Sequence, residues 1–179
     1  MIQTEFKAAA LPASSFVATG IEPGPEAFTA TIRVGDDGIS RGVPHVNNAE
    51  YVRWIDRIAE LATDAAGFTR PRMLASDRMW FVARHEIDYR GEAFSGDELL
   101  VATWLDTWTR TTVRRNTAIM RSADQRLICF AATRWAFVNL TSRRPARIPP
   151  EMRAAFPVRD SAGDSAGDSA GDSLGEQPS

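Results

Sequence analysis

The sequence predicts a single domain of the α+β class, in which a curved antiparallel β-sheet wraps around one long central α-helix. Three observations predict this fold. One stretch beginning near Asn47 has helical periodicity, four later stretches alternate with period two, and short polar turns separate the last three of these. A chain of 179 residues is long enough for a real core. One helix and one sheet can bury each other's apolar faces, so this order of elements is sufficient to build that core.

The segment 1–26 is interpreted as an N-terminal arm, and the folded domain is expected to span residues 27–156. Its first element is the stretch AFTATIRV (27–34), whose alternation of apolar and polar residues predicts a strand. The next stretch, GDDGISRGVP (35–44), is rich in turn-forming residues and predicts a loop. The apolar patch before residue 20 lacks the basic flank of a signal peptide, so we interpret it as part of the arm.

The central helix is predicted to begin within VPHVNNAEYVRW (43–54). Asn47 or Asn48 can act as the N-cap. Glu50 follows Asn47 by three residues, which is the spacing of a capping box. Gly67 is suited to ending the helix. Apolar residues recur at helical spacing on the face expected to turn inward: Val52, Ile55, Ala59, Ala62 and Ala66.

Period-two alternation then predicts four strands for the remainder of the domain. They are MWFVARHEIDY (79–89), ELLVATWLDTW (98–108), TTVRRNTAIMR (111–121) and RLICFAATRWAFVNL (126–140). The turns TR and SADQ between the last three are short, which favours antiparallel neighbours.

The composition excludes several classes of protein. The C-terminal segment 157–179 repeats SAGD and is predicted to be a disordered tail, because small and acidic residues have nothing to bury. Without the five acids of 160–179, bases exceed acids by only three, which is too mild a balance for nucleic-acid binding. No apolar run is long enough to span a membrane. The single cysteine, Cys129, permits no intrachain disulfide, so a cytoplasmic location is expected.

Three stretches in this order resemble the hot-dog fold, and more narrowly the 4-hydroxybenzoyl-CoA thioesterase-like and acyl-carrier-protein thioesterase proteins. They are HVNNAEYVRWID at the helix start, IDYRGEAFSGDEL (87–99), and ATRWAFVNLTSRRPARIPPEM at the last strand. The resemblance implies a homodimer or homotetramer that hydrolyses an acyl thioester of coenzyme A (CoA) or acyl-carrier protein, in fatty acid or polyketide metabolism. It implies no cofactor and no metal. The alternative left open is a hot-dog protein that binds such an acyl group without hydrolysing it.

The resemblance also implies an active site at the N-terminal end of the helix. His45 matches the family histidine and would orient water or shuttle a proton. Glu92 matches the acid of the catalytic network in the acyl-carrier-protein branch, although a solvated strand-end charge would explain it equally well. Asn47 is given a supporting catalytic role beside its role as cap. Backbone N–H groups around Asn47 to Ala49 would stabilise the oxyanion.

The sequence departs from the family just before His45. Arg41 stands where many members have an aspartate, and Val43 stands where the acyl-carrier-protein branch often has an asparagine. The nearest upstream acids are Asp36 and Asp37, either of which could fold back to the site or serve only as a turn residue. Asp37 is taken as the candidate base.

Substrate contacts are expected from Asn48, Ala49, Tyr51 and Arg114. Arg114 and its neighbour Arg115 could meet the phosphates of CoA or an acidic carrier surface, although a place on the surface of a strand is the more common role of such residues. Three further side chains are weighed. His85 is interpreted as a core histidine, Cys129 as inert core, and the pair Trp104 and Trp108, placed on one strand face, as core or as the wall of an acyl tunnel.

Overall fold

The computed structural model describes residues 2–24 and 26–158, so the predicted tail lies outside the described residues except for 157 and 158. Three α-helices and a short 3-10 helix accompany six strands. In chain order the elements are β1 (Glu5–Ala8), the 3-10 helix (Ala13–Thr19), β2 (Phe28–Arg33), α1 (Asn48–Ala65), α2 (Arg70–Ala75), β3 (Arg78–Tyr89), β4 (Glu98–Trp108), β5 (Thr112–Arg121), β6 (Leu127–Asn139) and α3 (Pro150–Ala154).

The six strands form one open antiparallel sheet in the order β1-β2-β4-β5-β6-β3. The predicted strands β3 to β6 are all present, and β4, β5 and β6 are neighbours as their short turns indicate. β3 is different because it pairs with β6 and lies at the edge. The connection from β3 to β4, residues 90–97, therefore runs from one edge of the sheet to its interior.

Helix α1 packs on one side of this sheet and begins and ends where the sequence predicts. Asn47 is the N-cap, and its side chain accepts a hydrogen bond from the Ala49 N–H. Gly67 has a φ of 82°, a left-handed conformation that suits glycine after a helix end. The buried face holds Tyr51, Trp54, Ile55, Ile58, Ala59 and Ala62, of which Trp54 was not among the residues predicted to turn inward. Among the described helices, none is long and apolar enough to cross a membrane.

The strand register aligns residues of β4, β5, β6 and β3 in four rows on the α1 side of the sheet. Counted from the N-terminal end of α1, the first row is Val101, Ile119, Cys129 and Tyr89, and the second is Thr103, Thr117, Ala131 and Ile87. The third is Leu105, Arg115, Thr133 and His85, and the fourth is Trp108, Val113, Trp135 and Val82. The first row is the apolar core under the helix start, whereas the third carries polar side chains.

Two β-bulges separate the third row from the fourth. The register shifts at Asp106 in β4 and at Ala83 in β3, so each of these strands holds one extra residue there. The bulge in β4 corrects the prediction that Trp104 and Trp108 share a face. Trp104 packs on the side of the sheet away from α1, while Trp108 lies on the α1 side with its ring centroid 6.4 Å from that of Trp80.

The N-terminal segment covers the other side of the sheet, and the predicted domain boundary at residue 27 is therefore too late. β1 adds an edge strand beside β2. Phe16 is fully buried in a cluster with Ala102, Trp104, Ala118 and Met120. A side chain at Gly24 would meet the Trp104 ring, so the chain lies tightly against this face. Residues 2–24 are consequently part of the packed domain.

Candidate active site

His45 and Glu92, two residues that the sequence singles out from separate loops, are in contact. His45 Nδ1 lies 2.9 Å from Glu92 Oε1. A carboxylate can only accept a hydrogen bond, so Nδ1 carries the hydrogen of this contact, and in the neutral imidazole Nε2 then has the lone pair. The side chains are 31% and 61% exposed, respectively, so both can be reached from solvent. The pair thus presents an oriented imidazole at the surface.

Backbone hydrogen bonds fix the two loops against each other. The Val46 N–H donates to the carbonyl of Ala93, which follows Glu92 and is fully buried. The His45 carbonyl accepts from the Ser40 N–H at 2.8 Å. Because both bonds involve the residues next to the pair, the His45–Glu92 distance is set by main-chain pairing rather than by mobile side chains alone.

The start of α1 offers fewer free donors than predicted. The Asn47 N–H donates to the Gly38 carbonyl, and the Ala49 N–H is taken by the Asn47 side chain. For the Asn48 N–H, no partner is found within the described part of the chain. Three backbone N–H donors were expected here, from Asn47 to Ala49, and only that of Asn48 is open to a ligand. It lies at the positive end of the helix dipole.

The predicted capping box does not form, because the Asn47 side chain accepts from the Ala49 N–H and not from that of Glu50. Glu50 is ion-paired with Arg53, one turn along the helix, instead of reaching back to the Asn47 N–H. Gly38 lies so close to Glu50 that a side chain at residue 38 would collide with it. The loop before His45 therefore packs directly on the first turn of α1.

Tyr51 and Tyr89 occupy different places beside the start of α1. Tyr51 is only 2% exposed, its hydroxyl interacts with the Ala93 backbone, and burial raises its pKa to about 12. It is a core residue, which corrects the prediction that it contacts substrate. Tyr89 instead donates from its hydroxyl to the Asn48 carbonyl at 3.3 Å and packs edge-on against Tyr51. No pattern short of the three-dimensional register marks Tyr89 for this position.

The two upstream aspartates hold the N-terminal segment. The Asp37 carboxylate accepts hydrogen bonds from the Thr4 N–H and hydroxyl at 2.9 and 2.7 Å. Asp36 accepts from Ser95 and from the Ile2 N–H, and these bonds lower its pKa. The prediction of Asp37 as base conflicts with these contacts, because its carboxylate already serves as an anchor for β1.

Arg114 lies away from the His45–Glu92 pair. Its side chain is on the face of β5 opposite α1, within 3.8 Å of carboxylate oxygens of both Glu86 and Asp106. It is five residues from Ile119 in the first row, roughly 17 Å along the strand. The predicted substrate contact is thus not supported for Arg114. Its neighbour Arg115 is buried on the α1 side, which the alternation Val113, Arg115, Thr117, Ile119 could have indicated.

The remaining candidates behave as follows. Cys129 is fully buried and burial raises its pKa to about 12, in agreement with its interpretation as inert core. His85 is half-buried, with Nδ1 2.9 Å from the Thr133 hydroxyl.

Beside the helix start lies an open cleft of about 490 Å³, lined by residues that include Asp37, Gly38, Asn47 and Ala49. Within residues 2–24 and 26–158, no three His, Cys, Asp or Glu side chains are grouped to hold a metal ion.

Similar proteins place this chain in one family. A model described as the thioesterase-like superfamily matches residues 43–156. The chain is 30% identical over 97 residues to the chloroplastic palmitoyl-acyl carrier protein thioesterase of Cuphea hookeriana, covering 54% of the chain and 23% of that protein. A palmitoyl-acyl carrier protein thioesterase of Gossypium hirsutum is 28% identical over the same length, with the same coverage. The chain therefore spans about a quarter of the length of these curated relatives.

Solved structures agree on the fold. A 1,4-dihydroxy-2-naphthoyl-CoA thioesterase from Synechocystis superposes with a TM-score of 0.67 at 18% identity, covering 72% of this chain and 94% of the other. The 12:0-ACP thioesterase from Umbellularia californica superposes with a TM-score of 0.63 at 17% identity, covering 85% and 60%. The predicted hot-dog fold is thereby confirmed. The chain belongs to the thioesterase-like superfamily.

Proposed function

We propose that the protein is an enzyme that hydrolyses acyl thioesters of CoA or acyl-carrier protein. The observation that carries the proposal is the contact between His45 and Glu92 at the exposed start of α1, beside a free Asn48 N–H. Family membership supports the reaction class, and the relatives named as acyl-carrier-protein thioesterases support the carrier. The same residues also fit a surface site that only binds an acyl group, so the reaction must be tested directly.

Water is the proposed nucleophile, with His45 as its base. Glu92 holds the proton on Nδ1, so Nε2 can take a proton from water as its oxygen attacks the thioester carbon. The C–O bond forms as the carbonyl electrons move to oxygen. When the tetrahedral intermediate collapses, the C–S bond breaks and the proton on Nε2 passes to the leaving thiolate. The products are a carboxylic acid and a thiol.

The Asn48 N–H is the proposed oxyanion donor. It lies at the first residue of α1, where the helix dipole adds to its positive field. The Tyr89 hydroxyl donates to the Asn48 carbonyl and the Asn47 side chain accepts from the Ala49 N–H, so both hold the adjoining Asn48–Ala49 peptide and thereby position Asn48. Asn47 and Tyr89 are thus proposed as positioning residues.

The competing candidate is a protein that binds acyl groups without hydrolysing them. Arg41 and Val43, in the exposed part of the loop, replace the acid and amide of many family members. The oriented imidazole of His45 favours hydrolysis, because binding alone does not require a histidine with a fixed tautomer.

A thiol-release assay tests the proposal. The full chain is expected to release thiol from one or more members of a panel of aromatic, short and long acyl groups on both CoA and acyl-carrier protein. His45→Ala should lower kcat by roughly 100- to 10,000-fold, with an unchanged circular dichroism spectrum. Acyl binding with no thiol release across the panel would refute hydrolysis and favour the binding protein.

We further propose that the chain forms a homodimer, itself able to pair as a tetramer, through strand β3. This twelve-residue strand is a free edge of the sheet. Phe81, Val82 and Tyr89 are 43%, 39% and 44% exposed along it. A long edge strand with apolar side chains favours pairing with a second copy. Light scattering coupled to size exclusion should give at least twice the chain mass of 19.7 kDa.

A further inference from the structure

A second cavity lies toward the C-terminal half of α1. Its volume is about 530 Å³, and it is a partly open pocket between α1, the fourth row of the sheet and Phe156, with charged α1 side chains such as Arg53, Arg57 and Glu60 also in its lining. Much of its wall is aromatic, with Phe68, Trp80, Trp108, Trp135 and Phe156. The size and the apolar wall are those of a small-molecule pocket. The site described above does not include it.

Arg115 is a buried charged residue in the wall of this cavity. It is 5% exposed, and its single side-chain hydrogen bond is a long one of 3.4 Å to the Thr103 hydroxyl. Its guanidinium also lies 5.7 Å from the ring centroid of Phe156. Burial lowers the pKa of Arg115 to about 10. A guanidinium has five N–H donors, so most remain unused.

The neighbouring groups do not supply the missing acceptor. Asp56 also lines the cavity, but the charge that acts on its carboxylate is that of His85, and it forms no ion pair with Arg115 in the described structure. The indole N–H of Trp135 is buried and has no partner either. A guanidinium withdrawn from bulk water and short of acceptors is costly, and an anionic ligand in the cavity would supply them.

We propose that this cavity binds the far end of an acyl group that terminates in a carboxylate, with Arg115 as the specificity-determining residue. The inference rests on the proposed thioester hydrolysis, because it assigns the substrate class of that reaction. The length of the acyl group that would reach Arg115 follows from the spacing of the rows in the sheet. Ile119 lies in the same first row as Tyr89, which contacts Asn48, and Arg115 is four residues along the strand of Ile119. The carboxylate should therefore be roughly 13 Å from the thioester.

Pantetheine, the arm common to CoA and acyl-carrier protein, is the carrier for the test. Thioesters of sebacic acid and decanoic acid have chains of equal length and differ in the terminal carboxylate. Amide analogues, with nitrogen in place of sulfur, measure binding without turnover. The variants are Arg115→Met and, as a matched control, Arg114→Met on the exposed face of the same strand. An adipoyl analogue is too short to reach Arg115.

In calorimetry, the unaltered protein should bind the sebacoyl amide roughly 10- to 100-fold more tightly than the decanoyl amide, the usual range for a charge-assisted hydrogen bond. Arg115→Met should abolish the preference, Arg114→Met should keep it, and the adipoyl analogue should not show it. If Arg115→Met does not fold, Arg115→Gln replaces it, and the preference of the unaltered protein is still measured.

The outcomes test the proposed carboxylate specificity separately from the proposed thioester hydrolysis. Equal binding of both amides by the unaltered protein, or a preference that survives in Arg115→Met, overturns the proposed specificity even where thioesters are cleaved. An Arg115-dependent preference without thiol release supports the specificity and refutes hydrolysis.

Discussion

Replacing Glu92 by glutamine removes one charge from the proposed site and leaves its shape intact. Glutamine still offers an oxygen to His45 Nδ1, but it no longer stabilises the positive imidazole that forms when Nε2 takes a proton. The Glu92 side chain is 61% exposed, so solvent screens the pair in the resting protein. We therefore expect the free energy of unfolding to change by less than about 1 kcal/mol.

The catalytic effect should be larger than the effect on stability. A group that orients a catalytic histidine contributes roughly 10- to 100-fold to activity, so kcat of Glu92→Gln should fall by that factor. If Glu92 acts only through His45, the double variant with His45→Ala should be no slower than His45→Ala alone. Thiol-release kinetics on four proteins measure this cycle, and urea denaturation measures stability.

Glu86→Gln is the matched control, since Glu86 is also an exposed glutamate paired with a cation, Arg84 at 2.7 Å. It should change neither kcat nor stability. A double variant whose loss equals the product of the single losses would refute the pairing of Glu92 with His45. A drop of more than about 2 kcal/mol in Glu92→Gln alone would show that the residue is structural.

The N-terminal segment gives two further predictions. Phe16→Ala should lower the free energy of unfolding by about 3 to 5 kcal/mol because Phe16 is fully buried, whereas Val17→Ala, at a 68% exposed site in the same 3-10 helix, should cost under about 0.5 kcal/mol. Equal losses in urea denaturation would show that the segment is only an arm. The second prediction concerns Asp36, whose pKa is lowered by hydrogen bonds from Ser95 and the Ile2 N–H. A lowered pKa stabilises the folded state above the ordinary carboxyl range and loses this effect as the pH falls through the folded value. The protection of amides within 2–8, corrected for the intrinsic exchange rate at each pH, should fall below about pH 4, and in Asp36→Asn this step should be absent.

Local chemistry made part of the site predictable. The N-cap at Asn47 and the glycine after α1 follow from short-range hydrogen bonding and backbone conformation, which the sequence carries within a few residues. His45 and Glu92 were marked by the resemblance, and the structure adds the contact between them. That contact depends on the pairing of Val46 with Ala93, two residues far apart in the chain.

Long-range pairing explains what could not be predicted. Period-two patterns identify strands but do not say which are neighbours, so the place of β3 at the edge beyond β6 was missed. The segment around Phe16 has the composition of an N-terminal extension that does not pack on the domain, so composition does not reveal that it is buried. Its burial depends on a face of the sheet that is formed by strands much later in the chain. The anchoring of Asp37 by Thr4 follows from that same docking.

The two bulges have a consequence for the variation of this fold among related sequences. If β4 and β3 kept all their residues but ran without the bulges, Thr107 and Ala83 would stand in the fourth row beside Val113 and Trp135, in place of Trp108 and Val82. Two large walls of the second cavity would become small. The bulges thus decide which side chains close the second cavity, so the register of β3 and β4 shapes this cavity as much as the identity of its side chains does.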